Sequence, residues 1–259
     1  METYFTKIDQ NPYQDLAWNI PDQKQGSINL FGGNSQSFNF EIRTAEALTK
    51  NFPIKDTKIF LPDSLKNTLP PLENLVFLPS TESGSLAESE ALVAAMNEAD
   101  FNLILGDLSK NSITTNAIVN TSTNTTKPTL IIRDAVDLIA SANPELLLMN
   151  DNVIIFATTA QLQKLFNSVY YPKVITMSQS LMQIAEALHK FTLSYAAKLI
   201  VLNNGQLLLA ENGEVTGIPL EATKYSPITL WTGELTNKIA AMNLYNPNNF
   251  KKATISAIF

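Results

Sequence analysis

The feature that most constrains the fold is an alternation of short apolar runs with amphipathic helical patterns. The apolar runs are rich in Ile, Leu, Val and Phe, which is typical of buried parallel strands. They lie at residues 27–31, 57–61, 74–78, 101–105, 128–132, 152–156 and 199–202. Helical patterns separate most of them, at about residues 38–51, 85–98, 111–120, 134–141, 158–169 and 178–196. The alternation predicts an α/β fold with a mainly parallel sheet covered by helices on both faces.

The pattern changes after residue 202. Asn203-Asn204-Gly205 separates two apolar runs, and residues that tolerate positive φ are favoured in the two-residue turn of a β-hairpin. A second turn, Glu211-Asn212-Gly213, follows directly. We therefore predict an antiparallel meander at one edge of the sheet, followed by a helix that begins near Gly233.

Composition restricts the function. The chain has 259 residues, of which 45% are hydrophobic, so it can bury a sizeable core. Its formal charge of −6 argues against a nucleic-acid partner, which requires clustered Lys and Arg. The absence of cysteine excludes disulfides and thiolate chemistry and suits the cytoplasm. We find neither a signal-peptide pattern nor an apolar run long enough to span a bilayer, so we expect no membrane association.

Two features bear on organisation. Residues 1–25 are rich in Gln, Asn, Asp and aromatic side chains, and we expect an arm that lies on the domain or on a partner. Such an arm can mediate a homo-oligomer, and the sequence leaves this open. Residues 26–259 are predicted to form one domain. The single histidine, His189, falls on the flank of a helical stripe, which favours a surface position over a catalytic one.

Ligands of open α/β sheets bind outside the carboxyl ends of the strands, and four segments qualify. They are Gly32-Gly33-Asn34-Ser35, Gly106-Asp107, Thr158-Thr159 and Thr232-Gly233-Glu234. Each also has a structural interpretation: a tight turn for the first, helix capping by Asp107 for the second and by Thr158 or Thr159 for the third, and a plain helix start at Gly233 for the last. The last segment could hold an anion, because the first turn of a helix leaves N–H groups unpaired. No phosphate-loop or dinucleotide fingerprint and no cluster of metal ligands occurs in the sequence.

In their serial order these segments resemble the ribokinase-like superfamily, and within it the ADP/ATP-dependent NAD(P)H-hydrate dehydratases. The resemblance covers about residues 25–245 and implies a three-layer α/β/α fold. The Gly-Gly-Ser turn of that family is similar to Gly32-Gly33-Asn34-Ser35, and its Gly-Pro-Gly-Leu-Gly turn falls on Gly106–Ser109. Its Asp-Ala-Asp-Ala-Leu element looks like residues 134–138. Its Thr-Pro-His-Pro-Gly-Glu loop falls on residues 156–161, which puts Thr158 at the position of the histidine.

The resemblance implies roles for these residues. Asn34, Ser35, Gly106, Asp107 and Thr158 would bind substrate. The residues that would bind ADP or ATP are Asn203, Asn204, Gly205, Thr232 and Gly233. Glu234 would be the base that activates the hydroxyl of hydrated NAD(P)H, with Mg²⁺ supporting the phosphates.

The sequence also departs from that family. Asn203-Asn204 stands where the family has Lys-Gly, and Trp231 stands where it has the first glycine of Gly-x-Gly-Asp. Only nine glycines occur in the chain, about half the average frequency. A non-catalytic nucleotide- or metabolite-binding pseudoenzyme, or another small-molecule kinase on the same fold, therefore stands as an alternative.

Overall fold

The computed structural model describes residues 4–8, 20–70, 72–176, 178–220 and 232–258. Trp231, whose position bears on the nucleotide site, lies outside these residues. The strands are β1 Phe5–Lys7, β2 Gln25–Gly32, β3 Ile54–Pro62, β4 Leu75–Leu78, β5 Phe101–Gly106, β6 Thr129–Ile131, β7 Val153–Thr158, β8 Lys198–Asn203, β9 Gln206–Glu211 and β10 Glu214–Pro219. The helices are α1 Asn39–Asn51, α2 Glu90–Glu98, α3 Ser112–Thr123, α4 Asp134–Ala140, α5 Glu145–Leu148, α6 Thr159–Ser168, α7 Leu181–Ser194, α8 Glu234–Tyr245 and α9 Phe250–Ser256.

The described strands form one sheet in the order β1-β10-β9-β8-β7-β6-β5-β2-β3-β4. Strands β2 to β8 pair in parallel, whereas β9 pairs antiparallel with both β8 and β10. The prediction of a mainly parallel sheet with an antiparallel edge meander is therefore confirmed. All the parallel strands end at the same edge, so the loops after β2, β5, β6, β7 and β8 are neighbours.

Both faces of the sheet are buried, which explains why the strands read as continuous apolar runs. Successive residues of a strand point to opposite faces. Leu30 packs in a core with α1, α8 and α9, and Phe31 packs in a second core with α2 to α7. The result is the three-layer α/β/α arrangement that the alternation predicted.

The structure differs from the prediction at several places, including helix α5, Glu145–Leu148, and strand β1, Phe5–Lys7, neither of which was predicted. Residues 85–89 were predicted to be helical, but α2 begins only at Glu90, after Ser89 caps it by accepting a hydrogen bond from the Leu92 N–H. Ser85 is instead fully buried in an extended loop. The short C-terminal helix α9, which was not predicted, packs against α8.

Part of the predicted arm lies on the sheet of the same chain. Strand β1 pairs in parallel with β10, and Ile8 is buried in the core. Residues 9–19 lie outside the described residues, so the domain boundary and a homo-oligomer through the arm stay predictions. Among the helices of the described residues, none is long and apolar enough to cross a bilayer.

His189 joins the arm to the meander. Its ring is partly buried, stacks on Tyr4 with 4.3 Å between ring centroids, and its Nδ1 is hydrogen-bonded to the Gly213 carbonyl. The position lies far from the carboxyl ends of the parallel strands, since Gly213 is in the turn between β9 and β10 at the opposite end of β8. The role of His189 is therefore structural.

We expect His189→Ala to lower the free energy of unfolding by about 1–3 kcal/mol, because it removes an aromatic stack and a hydrogen bond. His189→Phe keeps a stacking ring and removes only the hydrogen bond, so it should lower the free energy of unfolding by about 1 kcal/mol. Urea unfolding of the two variants measures the difference. Equal losses in both variants would show that the stack on Tyr4 contributes nothing.

Candidate functional site

Left-handed backbone conformations gather at the carboxyl edge of the sheet. Gly33 after β2 has φ 78°, Gly106 at the end of β5 has φ 103°, and Gly233 before α8 has φ 80°. Two residues with side chains share this region, Asp107 at φ 52° and Arg133 at φ 54°. Such a conformation costs about 1–3 kcal/mol for a residue other than glycine and persists only when its surroundings hold it.

The turns after β2 and β5 contact each other. The Gly33 N–H donates to the Gly106 carbonyl at 3.0 Å, and Asn34 Nδ2 donates to the Asp107 carbonyl at 2.5 Å. Ser35 is exposed, and its N–H donates to the Gly84 carbonyl. The structure thus brings together four of the residues that were predicted to bind substrate. We call residues 32–35 and 106–107 the substrate turns, after the substrate role predicted for them, which stays a prediction.

An ion pair links the second turn to β6. The guanidinium of Arg133 bonds both carboxylate oxygens of Asp107, at 3.3 and 3.4 Å. Its carbon Cζ lies 3.9 Å from the centre of the Phe40 ring, a cation–π contact. Phe40 in turn packs against Gly233, where a Cβ would lie 3.0 Å from the ring. These contacts place the start of α8 beside the substrate turns.

Two carboxyl groups occupy the space left by a pair of glycines. Gly32 and Gly106 are partners in the β2–β5 ladder. A Cβ at Gly32 would overlap Oε1 of Glu41 and approach the Gly106 carbonyl oxygen to 2.7 Å, and a Cβ at Gly106 would overlap Oδ1 of Asp134. Asp134 Oδ1 also accepts a hydrogen bond from the Asp107 N–H. Glycine is required at both positions by these close approaches.

Glu41 is fully buried, and within the described residues neither of its carboxyl oxygens has a hydrogen-bond partner. Burial raises the pKa of Glu41 to about 8, and the negative charges of Asp107 and Asp134 add to the rise. The residue's own backbone N–H, which has the larger effect, and the charge of Arg133 oppose the rise in pKa. Burial likewise raises the pKa of Asp134. Glu41 is therefore mainly neutral at pH 7.

The ends of β7 and β8 form the next part of the edge. Thr158 caps α6 in a reciprocal capping box with Gln161, so its hydroxyl and N–H are engaged within the helix start. Gln161 Nε2 donates to the Arg133 carbonyl at 2.6 Å, which joins this helix to the ion pair. Asn203 is buried and its Oδ1 accepts from the Thr159 hydroxyl. The substrate role of Thr158 and the nucleotide role of Asn203 stay predictions.

The remaining predicted nucleotide residues lie in the turn between β8 and β9 and at the start of α8. Asn204 is exposed at φ 43°, and in the described part of the chain no heavy atom beyond Gly205 and its two chain neighbours lies within 4 Å of a Cβ built on Gly205. Gly233 is the N-cap of α8 and supplies no side-chain cap, while Thr232 and Glu234 are exposed. Glu234 lies in the first turn of α8. Unpaired N–H groups in the first turn of a helix can bind an anion, and such a site at the start of α8 stays a prediction.

Two structural interpretations of the strand-end loops have different outcomes. Thr158 caps helix α6, as the structural interpretation of its loop predicted. Asp107 is not, because α3 is capped by Asn111, whose side chain accepts from the Thr114 N–H at 2.8 Å. The left-handed Asp107 instead binds Arg133, which leaves its carboxylate at the edge of the site.

Sequence reasoning missed Arg133 and Glu41. Arg133 follows the apolar run of β6 directly, so the rule that selected the other strand ends could have found it. Glu41 shares a buried stripe with Thr44, Ala45 and Leu48 at the 3–4 spacing of a helix. A carboxylate on an apolar stripe was the available signal. Among the described residues, no group of three or more His, Asp or Glu side chains is arranged to hold a metal ion.

The fold and this edge define a doubly wound α/β protein with a polar site at the carboxyl ends of its strands. The full chain is similar to a ribokinase-like superfamily protein from Enterococcus faecalis, with 14% identity, a TM-score of 0.71 and 86% of that chain covered. It is also similar to an ADP/ATP-dependent NAD(P)H-hydrate dehydratase from Bacillus subtilis, crystallised with ATP and Mg²⁺: 13% identity, TM-score 0.60, 95% of this chain and 84% of that one.

A ribokinase from Thermotoga maritima matches with 13% identity and a TM-score of 0.54, over 89% of each chain. No protein-family model matches the sequence, and no curated protein matches it. The protein has the ribokinase-like fold, as the serial order of its loops indicated.

The close packing at Gly106 predicts that alanine lowers the free energy of unfolding more at this position than at an open glycine. Gly106→Ala should lower the free energy of unfolding by about 2–4 kcal/mol, because it adds left-handed strain and displaces Asp134. Gly205→Ala is the matched control, since Gly205 is also left-handed, at φ 74°, but has open space around it. It should lose only about 1–2 kcal/mol. Urea unfolding that ranks Gly205→Ala as equal or worse would contradict the close approach at Gly106.

Proposed function

We propose that the protein binds ADP or ATP and transfers a phosphoryl group to the hydroxyl of a small molecule. The observation that carries this proposal is the start of α8. A helix of three turns opens there with a left-handed glycine and no side-chain cap, next to the substrate turns. This arrangement suits a phosphate that must react with a group held at those turns.

Some, but not all, of the residues at the predicted nucleotide site suit the binding of ADP or ATP. The N–H groups of the first turn after Gly233 would hold a transferring phosphate, and the space around Gly205 would admit a base or sugar. The lysine of the resembled family is replaced at Asn203, whose Oδ1 is engaged by Thr159. The phosphates would therefore depend mainly on the helix terminus and on Mg²⁺. Since Mg²⁺ is commonly bound through substrate phosphates and water, it needs no cage of protein ligands.

By resemblance to the NAD(P)H-hydrate dehydratases, the proposed substrate is hydrated NADH or NADPH. Glu234, exposed in the first turn of α8, would take the proton of the substrate hydroxyl. The hydroxyl oxygen would attack the terminal phosphorus of ATP or ADP, and the bond from that phosphorus to the bridging oxygen would break to release ADP or AMP. The phosphate ester would then leave as inorganic phosphate, with loss of the neighbouring ring proton, which restores the reduced nicotinamide. Asn34 and Asp107 lie where the substrate would be oriented.

A second candidate is a non-catalytic protein that binds a nucleotide or metabolite on the same fold. The observation that favours it is the engagement of Thr158 in a helix cap and of Asn203 with Thr159. Those residues stand at the family positions for substrate and nucleotide contact. Such a protein would retain binding at the α8 start and lack turnover.

The activity is tested with hydrated NADH or NADPH, ADP or ATP, and Mg²⁺, by following the return of reduced-nicotinamide absorbance. We expect turnover in the wild type and a loss of about 10²–10⁴-fold in Glu234→Gln, because the amide cannot accept the proton. Glu214→Gln, the same exchange at an exposed glutamate in β10, is the matched control and should stay within a few-fold. Equal rates in wild type and Glu234→Gln would refute the role of Glu234.

A thermal-shift series with ADP and ATP separates the two candidates. A binding protein is stabilised as the logarithm of ligand concentration over Kd, whether or not it turns over. We expect a rise in Tm that grows with nucleotide concentration. A rise without turnover supports the non-catalytic candidate, and an unchanged Tm at millimolar nucleotide contradicts both.

A further inference from the structure

We propose that Glu41 is a positioning residue of this site: its neutral carboxyl holds the two substrate turns together, and its ionisation releases them. The inference concerns the regulation of the candidate site and rests on the proposed function only in naming the turns as substrate-binding. The turns themselves can be observed without substrate. The proton that Glu41 loses passes to solvent, and no other group changes its protonation state in this step.

The first argument is the position of Glu41. It lies in the first turn of α1, the helix that follows the turn after β2. Its Oε1 occupies the place that a Cβ on Gly32 would take. A Cβ at Gly32 would meet both Oε1 of Glu41 and the carbonyl oxygen of Gly106. That same carbonyl accepts the Gly33 N–H. The carboxyl group therefore sits against the junction of the two turns.

The second argument is the absence of compensation within the described residues. Both oxygens of Glu41 are buried and lack hydrogen-bond partners. A carboxylic acid can be buried in this way at moderate cost. A buried carboxylate is costly here, because the groups that favour its charge are its own backbone N–H and Arg133, which already pairs with Asp107. Ionisation must therefore be followed by movement of the side chain, by entry of water, or by both.

The third argument is the charge around Glu41. The groups that act on it are Asp107 after β5, and Arg133 and Asp134 at the start of α4. Arg133 is the only cation among the three, and it already pairs with Asp107. An ionised Glu41 would add a third negative charge beside one positive charge. Repulsion from Asp134 would act across the Gly32–Gly106 pair and push the turns apart.

The consequence is a site that is assembled when Glu41 is protonated. Asn34 and Asp107 are held by the contact between their turns, so loss of this contact displaces both. Because the pKa of Glu41 is raised to about 8, the change falls within the range from pH 7 to 9.5. Below it the turns are closed, and above it they open.

Hydrogen exchange of single amides, read as protection factors, tests this directly. In the wild type we expect the protection of the Gly33 and Asp107 amides to fall by about tenfold or more between pH 7 and 9.5. In Glu41→Gln, whose amide stays neutral, it should stay constant. The Ala197 amide, which donates to the Leu148 carbonyl away from the site, serves as an internal reference and should not change in either protein.

The matched control is Glu211→Gln. Burial also raises the pKa of Glu211, but this residue ends β9 and pairs with Lys198, remote from the turns. We expect its exchange profile to equal that of the wild type. Constant protection of Gly33 and Asp107 in the wild type would overturn the proposal. The same fall in Glu41→Gln would overturn it too. If Glu41→Gln does not fold, the wild-type and Glu211→Gln series still decide.

Unfolding midpoints against pH give a second test. The pKa of Glu41 is higher in the folded protein, about 8, than the 4.5 of an exposed glutamate. Its contribution to stability is thus complete below about pH 4.5 and is lost as the pH rises through 8. From pH 5 to 9 the wild-type midpoint should fall more steeply than that of Glu41→Gln. Parallel curves would refute a neutral buried Glu41, whatever the outcome of the nucleotide assays.

Discussion

The close approach of β2 and β5 at their carboxyl ends is the constraint on which the site depends. Gly32 and Gly106 face each other in the ladder, and the space of their missing side chains is filled by the carboxyl groups of Glu41 and Asp134. This packing joins the turn before α1 to the turn before α4. A side chain at Gly32 would displace the buried Glu41, and one at Gly106 would displace the partly buried Asp134, so the two turns and the two acids form one unit.

Arg133 extends that unit to the rest of the carboxyl edge. Its guanidinium pairs with Asp107 and lies over Phe40, and its carbonyl accepts from Gln161 at the start of α6. Phe40 packs in turn against Gly233. Arg133 and Phe40 thus connect the substrate turns to the start of α8. The strained backbone of Arg133 is held by these contacts, which is usual where geometry serves a ligand.

Much of the fold was predictable from the sequence because local patterns report burial. Runs such as 101–105 are apolar on both sides of the strand, and only a parallel strand covered on two faces buries both. Asn204-Gly205 marks a hairpin because few other residues adopt its left-handed conformations. The helical start at 85 was wrong because residues 85–89 make tertiary contacts in an extended loop, and helical periodicity does not report such contacts.

The sequence by itself determined the layers, the antiparallel edge and the strand-end loops, since each depends on side-chain periodicity or on turn chemistry within a few residues. Only the tertiary structure decided which loops meet. It placed Asn34 against Asp107 and Asp107 against Arg133, residues that are 73 and 26 positions apart. It also turned Glu41 inward and left it without a partner among the described residues. Burial and charge pairing depend on groups distant in sequence, so no local pattern could determine the protonation of Glu41.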